Sequence, residues 1–125
     1  MIEKISPGSV VIDGKTYTSD VLILPSSLME AGEGDFKPID RIICPWQRKE
    51  ELLVALPDLN DLIPLWPDAL VIGTGFSEEV KVAPEVKVVL SGKNIHVMVF
   101  PTEQACEAYN EMAQGSRTAF AIHLK

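Results

Sequence analysis

Apolar and polar positions divide the chain into short runs. Val10-Val11-Ile12 and Lys15-Thr16-Tyr17 are β-prone and flank Asp13-Gly14. A two-residue turn of this kind needs positive φ, which glycine supplies at little cost, so the segment predicts an antiparallel hairpin. Val21-Leu22-Ile23-Leu24 is wholly apolar and ends at Pro25. A strand apolar on both faces is buried on both, which places it centrally. Residues 26–38 change character: Ser26-Ser27 and Gly32-Glu33-Gly34-Asp35 predict an exposed loop, with Leu28 and Met29 able to dock. Arg41-Ile42-Ile43-Cys44 predicts another strand closed by Pro45, and Leu52-Leu53-Val54 a short extended or edge piece. Asp58 to Ile63 predicts a short helix capped by Asp58, with Leu59, Leu62 and Ile63 on one face and Pro64 and Pro67 stopping it.

The second half alternates. Ala69-Leu70-Val71-Ile72 predicts a buried strand followed by Gly73-Thr74-Gly75. Pro84 can open a helix with Val86, Val89 and Leu90 inward and Gly92 at its end, although Val86-Lys87-Val88-Val89 equally suits a strand. Ile95 to Phe100 is a strand. Thr102 is placed to cap a helix whose apolar face holds Ala105, Cys106, Tyr109, Met112 and Ala113, with Glu103, Glu107 and Glu111 on the solvent side and Gly115 at its end. Ala119 to Ile122 is the last strand. Strand, helix, strand, helix, strand implies crossovers that make the strands parallel, and these are right-handed in nearly all proteins. The expected fold is therefore α/β: three-layered, with a central mixed β-sheet, an N-terminal antiparallel meander and a C-terminal parallel βαβαβ unit. At 125 residues this is one domain, spanning 1–125.

Composition narrows the function classes. Apolar residues make up 46% and charged residues 23%, as in a soluble globular protein. The longest apolar run, Leu52 to Leu56, falls far short of the roughly 20 residues of a membrane span. The N-terminal residues lack the apolar stretch of a signal peptide. Eighteen acids against eleven bases give a net charge of −7, a surface that repels phosphate backbones and argues against nucleic acid as a partner. The two cysteines, Cys44 and Cys106, lie among apolar residues and read as small buried hydrophobes in a reducing, cytoplasmic setting. No Cys-x-x-Cys or His-x-x-x-His spacing occurs, so neither a metal nor another cofactor is expected.

Open parallel sheets bind ligands beyond the carboxyl ends of their strands. Two loops emerge there, Gly73-Thr74-Gly75 and Pro101-Thr102, the second at a helix N-terminus that suits an anion. Gly73-Thr74-Gly75 is not a dinucleotide fingerprint, because Glu78 stands where a third glycine is needed, and it reads first as a tight turn. Pro45-Trp46-Gln47-Arg48-Lys49 is the one local concentration of positive charge beside an aromatic. Arg48 could present a forked donor to a carboxylate or phosphate; the plainer alternative is that Trp46 caps the core and Arg48 pairs with a nearby acid. Arg48, Thr74, Gly75 and Thr102 are thus the candidate ligand-binding residues. Asn110 reads as a hydrogen bonder to a neighbouring loop, and His123 as a structural histidine or a general base. No Gly-x-Ser-x-Gly elbow exists, and no catalytic residue is assigned.

Asp13-Gly14-Lys15-Thr16-Tyr17, Ser19 to Pro25, Trp46-Gln47-Arg48, Leu70 to Gly75, Pro101-Thr102 with Ala105, Tyr109-Asn110 and His123 occur in an order that resembles the Mth-type family of small α/β domains. The resemblance covers nearly the whole chain. It implies a three-layer fold around a mixed sheet and no agreed catalytic residues. Relatives include a mitochondrial factor that helps assemble respiratory complex I and an adipogenesis-associated cytoplasmic protein. Many members carry Gly-His shortly after Trp-Gln-Arg, where this chain has Glu50-Glu51. Two readings follow. The first is a non-catalytic interaction or assembly-factor domain with a protein partner. The second is a domain binding a small anionic ligand at the strand carboxyl ends, with weak enzymatic activity left open. A homo-oligomer using the apolar residues beside the 26–38 loop is a third arrangement the sequence permits.

Overall fold

The computed structural model describes residues 2–25 and 42–125. The predicted 26–38 loop and Arg41 lie outside those residues. The chain begins with β1 (Ile2–Ser6), β2 (Ser9–Ile12) and β3 (Lys15–Tyr17), an antiparallel sheet in the order β1-β2-β3. The β2–β3 turn has φ of +50° at Asp13 and +83° at Gly14, as the Asp-Gly dipeptide predicts. β1 is not signalled by the sequence pattern; Ile2 is buried, but Glu3 and Lys4 are exposed.

Among the described residues the central sheet has five strands in the order β5-β4-β10-β7-β9: β4 (Val21–Leu24), β5 (Ile42–Pro45), β7 (Ala69–Gly73), β9 (His96–Phe100) and β10 (Thr118–Ile122). β10 runs parallel to β7, and β7 parallel to β9, while β4 is antiparallel to both β10 and β5. The mixed sheet and the parallel βαβαβ unit are as predicted. The antiparallel segment, however, divides: β1 to β3 form a sheet of their own, and only β4 and β5 join the central one. β6 (Leu53–Val54) pairs in parallel with β8 (Lys81–Val82) as a two-stranded ribbon.

α1 (Pro84–Gly92) follows β8, and α2 (Thr102–Met112) follows β9. The crossover through α1 moves one strand along, from β7 to β9; the crossover through α2 returns past β7 to β10. Right-handed crossovers in opposite directions place their helices on opposite faces. Two cores result. Leu22, Leu24, Leu70, Ile72, Ala119 and Ala121 meet Val86 and Leu90 of α1 and Leu59 and Leu62 beneath it. Val21, Ile23, Val71, Phe120 and Ile122 meet Ala105, Cys106 and Tyr109 of α2, together with Ile2, Val10 and Ile12. Period-two alternation along each central strand feeds both cores, which explains why β4, β7 and β10 are apolar at nearly every position.

The helix expected over Asp58 to Ile63 is instead a pair of 3-10 turns, Leu56–Leu59 and Ile63–Leu65. Pro57 and Pro64 sit in the first turns of these pieces, where their missing N–H costs nothing, and Pro64 prevents a continuous α ladder. Asp58 still caps, but by reaching back: its carboxylate accepts from the N–H of Ala55 at 2.9 Å and of Lys49 at 3.2 Å.

Candidate functional site

The parallel strands end at Gly73, Phe100 and Ile122 on one rim of the sheet. Antiparallel pairing brings the start of β4 and the end of β5 to the same rim, since Val21 lies opposite both Ile122 and Pro45. Asp20, immediately before β4, Arg48, shortly after β5, and His123, immediately after β10, therefore converge from distant parts of the chain.

Asp20 is the hub. Its Oδ2 lies 2.9 Å from Arg48 Nη2 and 2.7 Å from His123 Nδ1, and its Oδ1 accepts from the Leu124 N–H at 2.9 Å. Arg48 is 3% exposed along its side chain and His123 2%. The guanidinium lies 4.3 Å from the centre of the Trp46 ring, and its Nε and Nη2 both donate to the Glu51 carbonyl, at 3.0 and 2.7 Å. Nη2 carries two hydrogens, and Glu51 O and Asp20 Oδ2 take both. The 3.1 Å approach of Nη2 to His123 Nδ1 is then a contact, and Nδ1–H is the donor to Asp20. Burial works against the charge of Asp20, but the hydrogen bonds from His123, the Leu124 N–H and Arg48 outweigh it and hold the carboxyl below its ordinary value. Arg48 Nη1 is buried without a hydrogen-bond partner.

Beside them, the polar groups of Thr74, Gly75 and Thr102 are engaged in hydrogen bonds within the protein. Thr102 Oγ1 accepts from the Gly75 N–H at 2.7 Å and donates to His123 O at 2.7 Å; the Thr102 N–H donates to Gly75 O at 3.1 Å. Thr102 is the first residue of α2, with Pro101 before it, so its hydroxyl clamps β10 to the Gly73-Thr74-Gly75 bend instead of capping the helix. Thr74 bonds Phe100 O through both N–H and hydroxyl. Gly75 has φ +104°, and a Cβ there would lie 2.7 Å from Lys125 O, the carbonyl that accepts from the Phe76 N–H.

All four candidate residues lie on one rim, with His123 between them, contacting Arg48 by its ring and Thr102 by its carbonyl. They do not share one opening. Thr74 lines a cleft of about 360 Å³ with Glu78, Lys81, Pro84, Lys87 and Val99. Asp20 and His123 line another of about 300 Å³ with Ser19, Trp46, Glu51 and Lys125. The His123 imidazole is buried and oriented through Nδ1 by the Asp20 carboxylate. The sequence reading of His123 lacked its partner. The available signal was positional: an acid just before one central strand and an imidazole just after another meet only if those strands are antiparallel neighbours. Trp46 and Arg48 take the plainer of their two readings, Trp46 in the core with its Nε1–H on Asp58 O at 3.0 Å, and Arg48 paired with an acid. Asn110 hydrogen-bonds the backbone N–H and carbonyl of Ile2, both at 2.9 Å, and so ties β1 to α2.

Burial pushes the thiol of Cys106 up to about 12 and raises that of Cys44, so neither is a ready nucleophile. Among the described residues no three His, Cys, Asp or Glu side chains gather to hold a metal ion, and no helix is long and apolar enough to cross a membrane.

A feature outside the rim completes the picture. Among the described residues, β9 is an edge of the central sheet. His96 N–H donates to Asp68 O and Phe100 O accepts from the Thr74 N–H, so His96, Met98 and Phe100 face β7 with their backbone groups. Val97 and Val99 therefore turn N–H and C=O outward, and among the described residues nothing bonds them.

The fold matches solved structures along its whole length. A conserved hypothetical protein from Pyrococcus horikoshii OT3 superposes with a TM-score of 0.75 at 23% identity, covering 100% of this chain and 98% of that one. A protein described as an outer membrane protein from Bartonella henselae gives 0.74 at 17% identity, covering 98% and 92%. A Bordetella pertussis protein described as a Mth938-like domain gives 0.64 at 17% identity, covering 98% and 84%. At these identities the likeness is one of fold. A family profile described as "Protein of unknown function (DUF498/DUF598)" matches residues 2–123. With that match over almost its entire length, and with the Mth-type fold, the chain belongs to the DUF498/DUF598 family of small α/β domains of unassigned activity.

Proposed function

We propose that this chain is a non-catalytic interaction domain, of the kind that serves as an assembly factor in the cytoplasm, and that it engages its protein partner through the open edge of β9. The observation that carries this reading is the contrast between rim and edge. At the rim, the Gly75 N–H is bonded to Thr102 Oγ1, the Thr102 hydroxyl to His123 O and the Thr74 hydroxyl to Phe100 O, so these polar groups are already engaged within the protein. At β9, Val97 and Val99 present backbone donors and acceptors that no described residue pairs, flanked by half-buried apolar side chains, which is how a sheet accepts a further strand. The test is NMR of the isotopically labelled chain in unlabelled extract of its host. Broadening or shifts centred on Val97 and Val99 are expected; an unperturbed β9 would overturn the reading.

Arg48 favours a second reading. Its Nη1 is an orphaned buried donor at the rim, and a small anion such as phosphate or acetate would supply the missing acceptor, with Thr74, Gly75 and Thr102 as the neighbouring strand-end groups. Titration calorimetry with each anion decides it. Saturable binding that disappears in Arg48→Met supports this reading, and the absence of binding at millimolar anion removes it.

A further inference from the structure

We propose that the strand received by β9 is β9 of a second copy, paired antiparallel about a two-fold axis that sets Met98 opposite Met98. The proposal rests on the interaction reading and names its partner.

The register follows from which backbone groups remain free. Val97 and Val99 each offer one N–H and one C=O outward. In an antiparallel pair, residues that exchange both bonds lie directly opposite each other and alternate with pairs that exchange none. With Met98 on the axis, Val97 lies opposite Val99 of the second copy and Val99 opposite its Val97, so every outward group of both strands finds a partner. Sliding the pairing toward the amino end sets Val99 against Ile95, whose N–H is already spent on Leu90 O. Sliding it toward the carboxyl end sets Val97 against Pro101, which has no N–H and whose carbonyl is taken by the Ala105 N–H. The edge is thus bounded at both ends by its own hydrogen bonds, and of these three two-fold registers the one centred on Met98 is the one in which Val97 and Val99 are both fully paired.

The side chains agree. Val97 and Val99 pack on the α1 face, and Met98 and Phe100 on the α2 face, each half-buried. Self-pairing sets valine against valine on one face and methionine against methionine on the other, apolar cross-strand pairs of the stabilising kind. No charge lies between Val97 and Phe100 to repel an identical strand, despite the net charge of −7. The devices that blunt an edge strand are missing: β9 has no lysine, no internal proline and an unbroken register with β7. The pairing would join two five-stranded sheets into one continuous sheet, an isologous contact.

The test combines sedimentation velocity over a concentration series with amide exchange of the intact chain. A species of twice the 13.7 kDa chain mass is expected at high concentration, with the Val97 and Val99 amides becoming protected as it forms. Val99→Pro removes an N–H that β7 does not use, and its circular dichroism confirms folding. It is expected to weaken self-association roughly tenfold or more, because each copy loses a hydrogen bond. A dimer whose Val97 and Val99 amides exchange as in the monomer overturns the proposal without any variant. A monomer whose β9 amides are protected only in host extract overturns self-pairing and leaves the interaction reading standing. A monomer protected under neither condition overturns both.

Discussion

Gly75 shows how one residue can hold a rim together. Its φ of +104° is open to glycine and strained for any other residue, and the space a Cβ would fill is occupied by Lys125 O. Gly75→Ala is expected to destabilise the domain by about 1–3 kcal/mol, read as a lower urea midpoint with an unchanged m-value. Asp20 is the electrostatic counterpart. Asp20→Asn leaves the Arg48 guanidinium, 3% exposed, without its counter-charge, a loss of roughly 3–5 kcal/mol for a buried pair broken on one side. Because the folded-state pKa of Asp20 is lowered, its contribution is fully present above the unfolded carboxylate value of about 3.9 and is lost as pH falls through the lower folded value. Urea denaturation at stepped pH should therefore show the difference between wild type and Asp20→Asn constant near neutrality and shrinking only in the acid region below about pH 4. A difference that shrinks between pH 6 and 8 would contradict this assignment.

At the level of elements, local pattern and tertiary demand agree in most places and part in a few. The Asp13-Gly14 hairpin, β4, β7, β9 and α2 are legible because each carries its own signal: a turn dipeptide, an unbroken apolar run, or apolar positions at helical spacing; α1, whose valines suit a strand equally, is decided by its packing on the sheet. β1 carries none. Two of its five residues are exposed, and besides its pairing with β2 it is tied at Ile2 to Asn110 of α2. Asn110→Ala is expected to cost about 1–2 kcal/mol and to speed amide exchange in β1 more than in β10. Equal acceleration in both strands would show that β1 unfolds only with the whole domain. The paired 3-10 turns at Leu56–Leu59 and Ile63–Leu65 mark the opposite case, where a helical pattern is present but Pro64 interrupts the α ladder. Thr102 misleads for a related reason. A threonine at a helix start reads as a cap until a β-bend and a strand end arrive to claim its hydroxyl.

Across the whole molecule, the central sheet couples two cores. Phe120 sits in β10 at the middle of the sheet and stacks on Tyr109 of α2, with ring centres 4.9 Å apart. Phe120→Ala is expected to cost about 3–5 kcal/mol, a large share of the roughly 5–15 kcal/mol that holds a domain of this size together. Because β10 contributes to both cores through alternate residues, tryptophan fluorescence and far-UV dichroism should report one shared, lowered transition. Two separated transitions would show that the faces fold independently. Hydrophobic periodicity, turn chemistry and the order of elements were enough to determine an α/β chain with a parallel βαβαβ half, since those signals act over a few residues. Only tertiary structure decided that Asp20 meets His123 and Arg48, that Thr102 ties β10 to the Gly73-Thr74-Gly75 bend, and that β9 lies outermost among the described strands of its sheet. Those outcomes depend on which strands become neighbours, and strand order is set by the joint burial of both sheet faces, which no local stretch of the chain encodes.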